Sequence, residues 1–243
     1  MSSPSLTYIL RRNAYRDNSL LLDCFNEYEG RITVVARFSK RQSNRIKGML
    51  EPFRLLDMRW SGKGDVHTLV HAEEKRRYAL KQGALVQATY ANELLLRAFQ
   101  PGEGDADLFA HYRRILHHLE GGADLPALMQ FELAVLAVCG YELNLWQDDA
   151  TQAALQPELN YHFQPERGLL PLHAKFDAEQ ESLSCDAPQN GVLISGELLI
   201  ALRYPEVVPA EQWQVLRRVL DQMLALLLNG KTLYARQLLS VTT

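Results

Sequence analysis

The sequence predicts an α+β protein in which an N-terminal five-stranded β-barrel precedes a mostly α-helical domain. Three observations carry this prediction. Short β-branched runs separated by turn residues fill the first part of the chain, and helical periodicity replaces them after Glu73. Charge divides in the same way: Met1–Lys81 holds 16 basic residues against 9 acidic ones, and Gln82–Thr243 holds 10 against 20. The net charge of −3 therefore conceals a basic front and an acidic remainder. A basic half of this kind suits a polyanionic partner.

The strands are read at Leu6–Leu10, Ser19–Phe25, Arg31–Arg37, Pro52–Trp60 and Val66–His71. Arg16-Asp17-Asn18, Glu29-Gly30 and Ser61-Gly62-Lys63-Gly64-Asp65 supply the turns between them. Five strands with no long helix between them fit a small closed or partly open barrel of the oligonucleotide-binding (OB) type, with an SH3-like barrel as the nearest rival. The barrel is assigned to residues 1–80 and the helical domain to 81–243, with an irregular, hairpin-bearing insertion around 146–190. Ala84–Phe99 spaces Leu85, Ala88, Leu95 and Phe99 along one helical face and stops at Pro101-Gly102. Asp105–Leu119 repeats the pattern through Leu108, Phe109, Tyr112, Ile115, Leu116 and Leu119. Asp124 caps a third helix, with Pro126 in its first turn and Gly140 at its end. Gln82–Tyr141 is thus expected to form a bundle packed against the barrel. Tyr161–Phe163 and Leu169–Leu172 read as a hairpin, Ser195–Leu202 as a helix capped by Ser195, and Pro209–Leu228 as a long helix ended by Gly230.

Composition narrows the function. At 243 residues and 47% hydrophobic, the chain is an ordinary globular protein. Cys24, Cys139 and Cys185 form no CxxC pair, which argues against a disulfide scaffold or a zinc ribbon and suits a reducing cytoplasm. The N-terminus lacks the basic start and apolar run of a signal peptide, and no apolar stretch is long enough to span a bilayer. Neither GxxxxGK[ST] nor GxGxxG occurs, so no phosphate-cradling loop is expected. His111, His117 and His118 share a helix without an HExxH pattern, and no serine lies in a nucleophile context. The reading is a binding protein rather than an enzyme, with neither cofactor nor metal.

The binding reading rests on Gly30–Leu50. It contains Arg31, Arg37, Lys40, Arg41, Arg45 and Lys47 and no acidic residue, and Glu29 and Glu51 bracket it. Its middle, Ser39–Arg45, has nothing apolar to bury and reads as a positive loop leaving a strand. Such a loop neutralises phosphates and releases their counterions, giving each contact a salt-slope increment of ~0.7 on single strands and ~0.9 on duplex. Phe38, inside the run, is the aromatic expected to stack on bases. Phe25, Phe53 and Trp60 occupy strand positions expected to point into the barrel.

The same residues resemble a known family, the bacterial DNA repair and recombination mediators called RecO. The resemblance runs through Arg16-Asp17-Asn18-Ser19-Leu20, Gly30-Arg31, Val34-Val35-Ala36-Arg37, Ile46-Lys47-Gly48 and Leu50-Glu51-Pro52-Phe53. It continues through Tyr90-Ala91-Asn92-Glu93-Leu94-Leu95, Phe131-Glu132-Leu133, Gly140-Tyr141 and Gly230-Lys231 with Leu233 and Arg236. It implies an OB barrel, a helical domain, and a cytoplasmic, nucleoid-associated protein without ATP hydrolysis. It further implies binding of single- and double-stranded DNA, strand annealing, action with RecR, and loading of RecA onto gaps coated by single-stranded-DNA-binding protein. By position, the family's DNA-binding face falls on the six basic residues of Gly30–Leu50. The acidic, Phe-ending tail of single-stranded-DNA-binding protein is implied to dock in a pocket at Leu128, Met129 and Leu133. Met129-Gln130 stands where the family carries a cation, so Arg113 or Arg203 is expected to supply one. Some members carry a four-cysteine zinc module in the region corresponding to Asn144–Asp186; only Cys185 is present here, so no zinc is expected. The rival functions are an RNA-binding or ribosome-associated barrel protein, and a hydrolase using His117 and His118.

Overall fold

A computed structural model describes residues 3–16, 18–38, 43–172, 191–204 and 208–239. The first five strands are β1 (Ser5–Ala14), β2 (Ser19–Asn26), β3 (Gly30–Arg37), β4 (Arg54–Ser61) and β5 (Val66–Arg77). They close into a barrel in the order β1-β2-β3-β5-β4, with β1 returning to pair β4 and with β3 and β5 running parallel. A helix, α1 (Ser43–Met49), stands between β3 and β4. This topology is the OB type and removes the SH3-like alternative. Period-two alternation builds the interior: Leu22 and Cys24 from β2, Ile32, Val34 and Ala36 from β3, and Leu56, Met58 and Trp60 from β4 all enter one core. Burial pushes the Cys24 thiol pKa well above its ordinary value, which leaves it an inert core residue.

Three expectations for this region change, the first at Phe53, which is half-buried at φ 61° just before β4 and is not part of the barrel core. The segment read as a loop is helical from Ser43, because Ile46, Met49 and Leu50, just beyond the polar run, lie against the barrel core. Phe25 is buried outside the barrel interior, not within it. It sits opposite Tyr8 in the β1–β2 ladder, and both rings pack against a helix.

The helices that follow are α2 (Gln82–Ala98), α3 (Ala106–Leu119) and α4 (Leu125–Val138). The Asp105 carboxylate accepts the Leu108 N–H and that of Asp124 accepts the Ala127 N–H, so both expected caps form. All six apolar positions read on α3 are buried, but Leu85 of α2 is exposed. Through Val135 these helices belong to one compact unit with the barrel, together with residues 231–239. Phe109 and Tyr112 of α3 pack on Tyr8 and Phe25, with ring centroids 4.9–6.1 Å apart. Asn92 of α2 donates to the Leu10 carbonyl at 2.8 Å and accepts from the Tyr112 hydroxyl. The α2–α3 loop is held still more closely. The Arg31 N–H donates to the Glu103 carbonyl at 3.0 Å, and the Gly102 N–H to the Arg31 carbonyl at 2.7 Å. Gly30, at φ +65°, meets Gly104 so tightly that a Cβ would lie 2.0 Å from the Glu103 oxygen.

Leu136–Gly230 is the second compact unit. Its hairpin, β6 (Asn160–Gln164) with β7 (Gly168–Pro171), forms as read. An unforeseen strand, β8 (Val192–Ser195), adds to β6 to make a three-stranded sheet. The hydroxyl of Ser195 caps α5 (Gly196–Ala201), and a short 3₁₀ turn (Ala210–Gln212) leads into α6 (Trp213–Leu228). In the first unit, α7 (Tyr234–Leu239), also unforeseen, has the N–H groups of Tyr234 and Ala235 donating to the Glu93 carboxylate of α2. No helix among the described residues is long and apolar enough to cross a membrane.

Candidate nucleic-acid interface

One end of the barrel gathers three basic segments: the β1–β2 turn, the last residue of β3, and α1. Backbone bonds fix them. The Tyr15 N–H donates to the Ser19 carbonyl at 3.0 Å, and the Phe38 N–H to the Asn18 carbonyl at 2.9 Å. Arg16 and Asn18 turn the chain in left-handed conformations, at φ 50° and 56°. Arg16 holds its guanidinium 5.3 Å from the Tyr15 ring centroid, and Tyr15 is 37% exposed. Arg37 is exposed, and neither it nor Arg16 has an acidic partner among the described residues. Arg12 plays a different part. Its guanidinium donates to the carbonyls of Lys47 and Leu50, at 3.2 and 3.4 Å, and pairs with Glu51, so it neutralises the C-terminal end of α1.

The six basic residues read from the sequence therefore separate. Arg37 is presented to solvent, and Lys47 lies on α1 with its ammonium 5.1 Å from the Phe38 ring centroid. Arg45 is part of α1, and Lys40 and Arg41 lie outside the described residues. Arg31 stands at the opposite end of β3, about 20 Å from Arg37 at ~3.3 Å per residue. Its guanidinium donates to the carbonyls of Phe99 and Leu96, at 2.6 and 3.2 Å, and lies 3.8 Å from Asp23. That side chain is committed to holding the end of α2 against the barrel. Phe38 requires a correction: it is 9% exposed and belongs to the barrel core, with Lys47 over it, so it does not offer a face for base stacking. Tyr15 is the exposed aromatic at this end. Its sequence signal was a tyrosine between Arg12 and Arg16 in a polar turn, where no barrel interior is available to it.

Elsewhere on the barrel most cations are paired. Arg11 meets Asp23 at 2.8 Å, Arg54 meets Glu74 at 2.6 Å, and Lys75 lies 3.0 Å from Glu73. The Glu74 carboxyl is held below its ordinary pKa by its hydrogen bond to Arg77 and by Arg54, and the Glu73 carboxyl by Lys75. The contrast with Arg16 and Arg37 marks the α1 end as the open positive surface of the barrel.

The residues expected to receive a partner tail also separate. Leu128 and Met129 are fully buried, so neither can line a surface pocket; Leu133 is partly buried. Arg203 belongs to the second unit, where its Nε donates to the Leu145 carbonyl at 2.9 Å and its guanidinium stacks on Trp146 at 4.2 Å. Arg113 is exposed on α3. A shallow depression between α3 and α4 is lined by Ala127, Gln130 and Phe131 from α4 and by His111, Arg114, Ile115 and His118 from α3. Arg114 is the fixed cation there. Burial, then the nearby Arg114 charge, holds the His111 imidazole below its ordinary pKa. The sequence concealed Arg114 because only the packed pair of helices brings it beside Gln130.

With this geometry in hand, the relatives decide the family. The description "Recombination protein O N terminal" matches residues 3–78, and "Recombination protein O C terminal" matches residues 83–234. The chain belongs to the recombination protein O family. A protein named DNA repair protein RecO from Methylococcus capsulatus is 34% identical over 233 residues, covering 95% of this chain and 90% of that one. One of the same name from Vibrio cholerae is 31% identical over 238 residues, covering 97% and 93%. One from Pasteurella multocida is 34% identical over 166 residues, covering 67% and 69%. The two RecO family regions meet between residues 78 and 83, where β5 gives way to α2.

Proposed function

We propose that this RecO-family chain is a non-enzymatic DNA-binding mediator of DNA repair and recombination. The carrying observation is the acid-free basic segment that leaves β3 at a barrel end where Arg16 and Arg37 are exposed without acidic partners among the described residues. Arg37, Lys40, Arg41, Arg45, Lys47 and Arg16 hold phosphate backbones of single- and double-stranded DNA there, and Tyr15 offers a ring for an unpaired base. Annealing follows from charge neutralisation, because strands held on a cationic surface repel each other less. RecR, and the acidic tail of single-stranded-DNA-binding protein at the Arg114 depression, are the proposed partners in loading RecA onto coated gaps. Membership of the family and the names of its curated relatives support this reading.

The test replaces Lys40, Arg41 and Arg45 together by Ala and measures oligothymidylate affinity across a salt series. The logarithmic slope should fall by about 2, at ~0.7 per lost contact. An unchanged slope defeats the reading. Competition between DNA and RNA oligonucleotides of one sequence separates it from RNA binding.

A further inference from the structure

A second cationic surface lies on the first unit, away from the basic barrel end. The C-terminal end of β5 and the outer face of α3 flank a groove of about 490 Å³. Arg76, Arg113, Arg114 and His117 rim it, over a floor that includes Leu55 and Tyr78. The Glu120 carboxylate faces this rim: Arg76 donates to it at 2.5 Å and to His117 Nδ1 at 3.0 Å. Arg113 and Arg114 have no acidic partner among the described residues. The pattern in α3 repeats that of the barrel segment. From Leu108 to Leu119 the helix carries His111, Arg113, Arg114, His117 and His118 and no Asp or Glu. At ~1.5 Å per residue, these positions run along about 10 Å of helix axis.

We propose that this groove is a second polynucleotide site, which holds the backbone of one strand while the basic barrel end holds another. The inference rests on the DNA-binding reading and adds a separate place for a second strand. A row of cations suits an anion whose charges repeat along a chain, and the guanidinium fork matches two phosphate oxygens at once. The floor argues against an acidic peptide anchored by an aromatic end. Leu55 and Tyr78 are 9% and 5% exposed, so the groove offers little apolar surface to grip a side chain, whereas phosphate contacts require none. Glu120 neutralises Arg76 in the free protein, and an arriving phosphate replaces it on that guanidinium.

Spacing gives the second site its consequence. Val35 of β3 is level with Thr68 of β5, which places Arg37 level with Val70 and six residues short of Arg76 along β5. At ~3.3 Å per residue, the groove is at most about 20 Å along β5 from the basic end, on the same compact unit. A short oligonucleotide fills one site and leaves the other open. Two strands held on one unit are concentrated relative to each other, which is the condition annealing needs.

The experiment uses the full chain with short oligothymidylate, counting strands bound per chain by titration under stoichiometric conditions, and then measures annealing of complementary strands. The unaltered protein should take up two strands, and R113A/R114A one, with slower annealing. In R113A and in R114A singly, the salt slope of the weaker step should drop by about 0.7. Glu120→Gln should tighten that step. One strand per unaltered chain, or two strands with unchanged annealing in R113A/R114A, overturns the second site and leaves the DNA-binding reading standing. No binding by the unaltered protein removes that reading itself. Two strands still bound by R113A/R114A, with uptake of an acidic, Phe-ending peptide lost, leaves these arginines to the peptide depression between α3 and α4 and overturns the proposal.

Discussion

Arg31 and Arg37 lie on one strand and look alike in sequence, and their replacement should have opposite effects. Arg31→Ala removes charged hydrogen bonds to the Phe99 and Leu96 carbonyls, and leaves Asp23 to its remaining partner Arg11. The Arg31 side chain is 16% exposed, so solvent screens these contacts only weakly. At ~1.5–3 kcal/mol for each hydrogen bond to a charged group, a loss of about 3 kcal/mol is expected. In a unit of this size that is a fall in melting temperature of about 6–12 °C. The salt slope of oligothymidylate binding should not change, because this guanidinium faces carbonyls rather than solvent. Arg37→Ala should lower the slope by about 0.7 and leave stability within about 0.5 kcal/mol of the parent. Thermal unfolding and a salt series on both variants decide it. If Arg31→Ala reduced the slope and left the melting temperature unmoved, the structural role assigned to Arg31 would be refuted.

Other substitutions probe the frame around the interface. Gly30→Ala places a methyl 2.0 Å from the Glu103 oxygen at a left-handed backbone, and should cost at least about 2 kcal/mol in urea unfolding. Asn92→Ala strands the Leu10 carbonyl and the Tyr112 hydroxyl inside the barrel–helix contact, for an expected loss of about 2–4 kcal/mol by the same measurement. In the second unit, burial raises the Asp148 carboxyl pKa, but hydrogen bonds from Thr151 and the Ala150 N–H outweigh it and hold the group below its ordinary 3.8. A depressed native pKa contributes stability above the unfolded value, and that stability disappears as pH falls through the native one. Asp148→Ala should therefore cost about 1–3 kcal/mol near neutral pH, and the gap between variant and parent should close below pH ~3.8.

Element types were legible because each leaves a local periodic signal. The alternation of Ile32, Val34 and Ala36 and the buried stripe of α3 follow from one strand and one helix alone. Elements whose stability is borrowed from elsewhere were not legible. Helix α1 opens with a polar run and folds against the barrel through Ile46, Met49 and Leu50, while β8 is a strand only because β6 offers an edge. Phe38 followed the same rule: its neighbours in sequence are cationic, but its neighbours in space are the barrel core.

The sequence alone determined that this protein has a basic barrel followed by an acidic helical remainder, because charge and hydrophobic period are properties of neighbouring residues. Only the tertiary structure decided which cations are open to a phosphate. Arg31 and Arg37 differ in what surrounds them: carbonyls from the end of α2 around one and solvent around the other. A guanidinium buried among protein carbonyls has little left to offer a ligand, and that accounting depends on contacts between residues far apart in the chain.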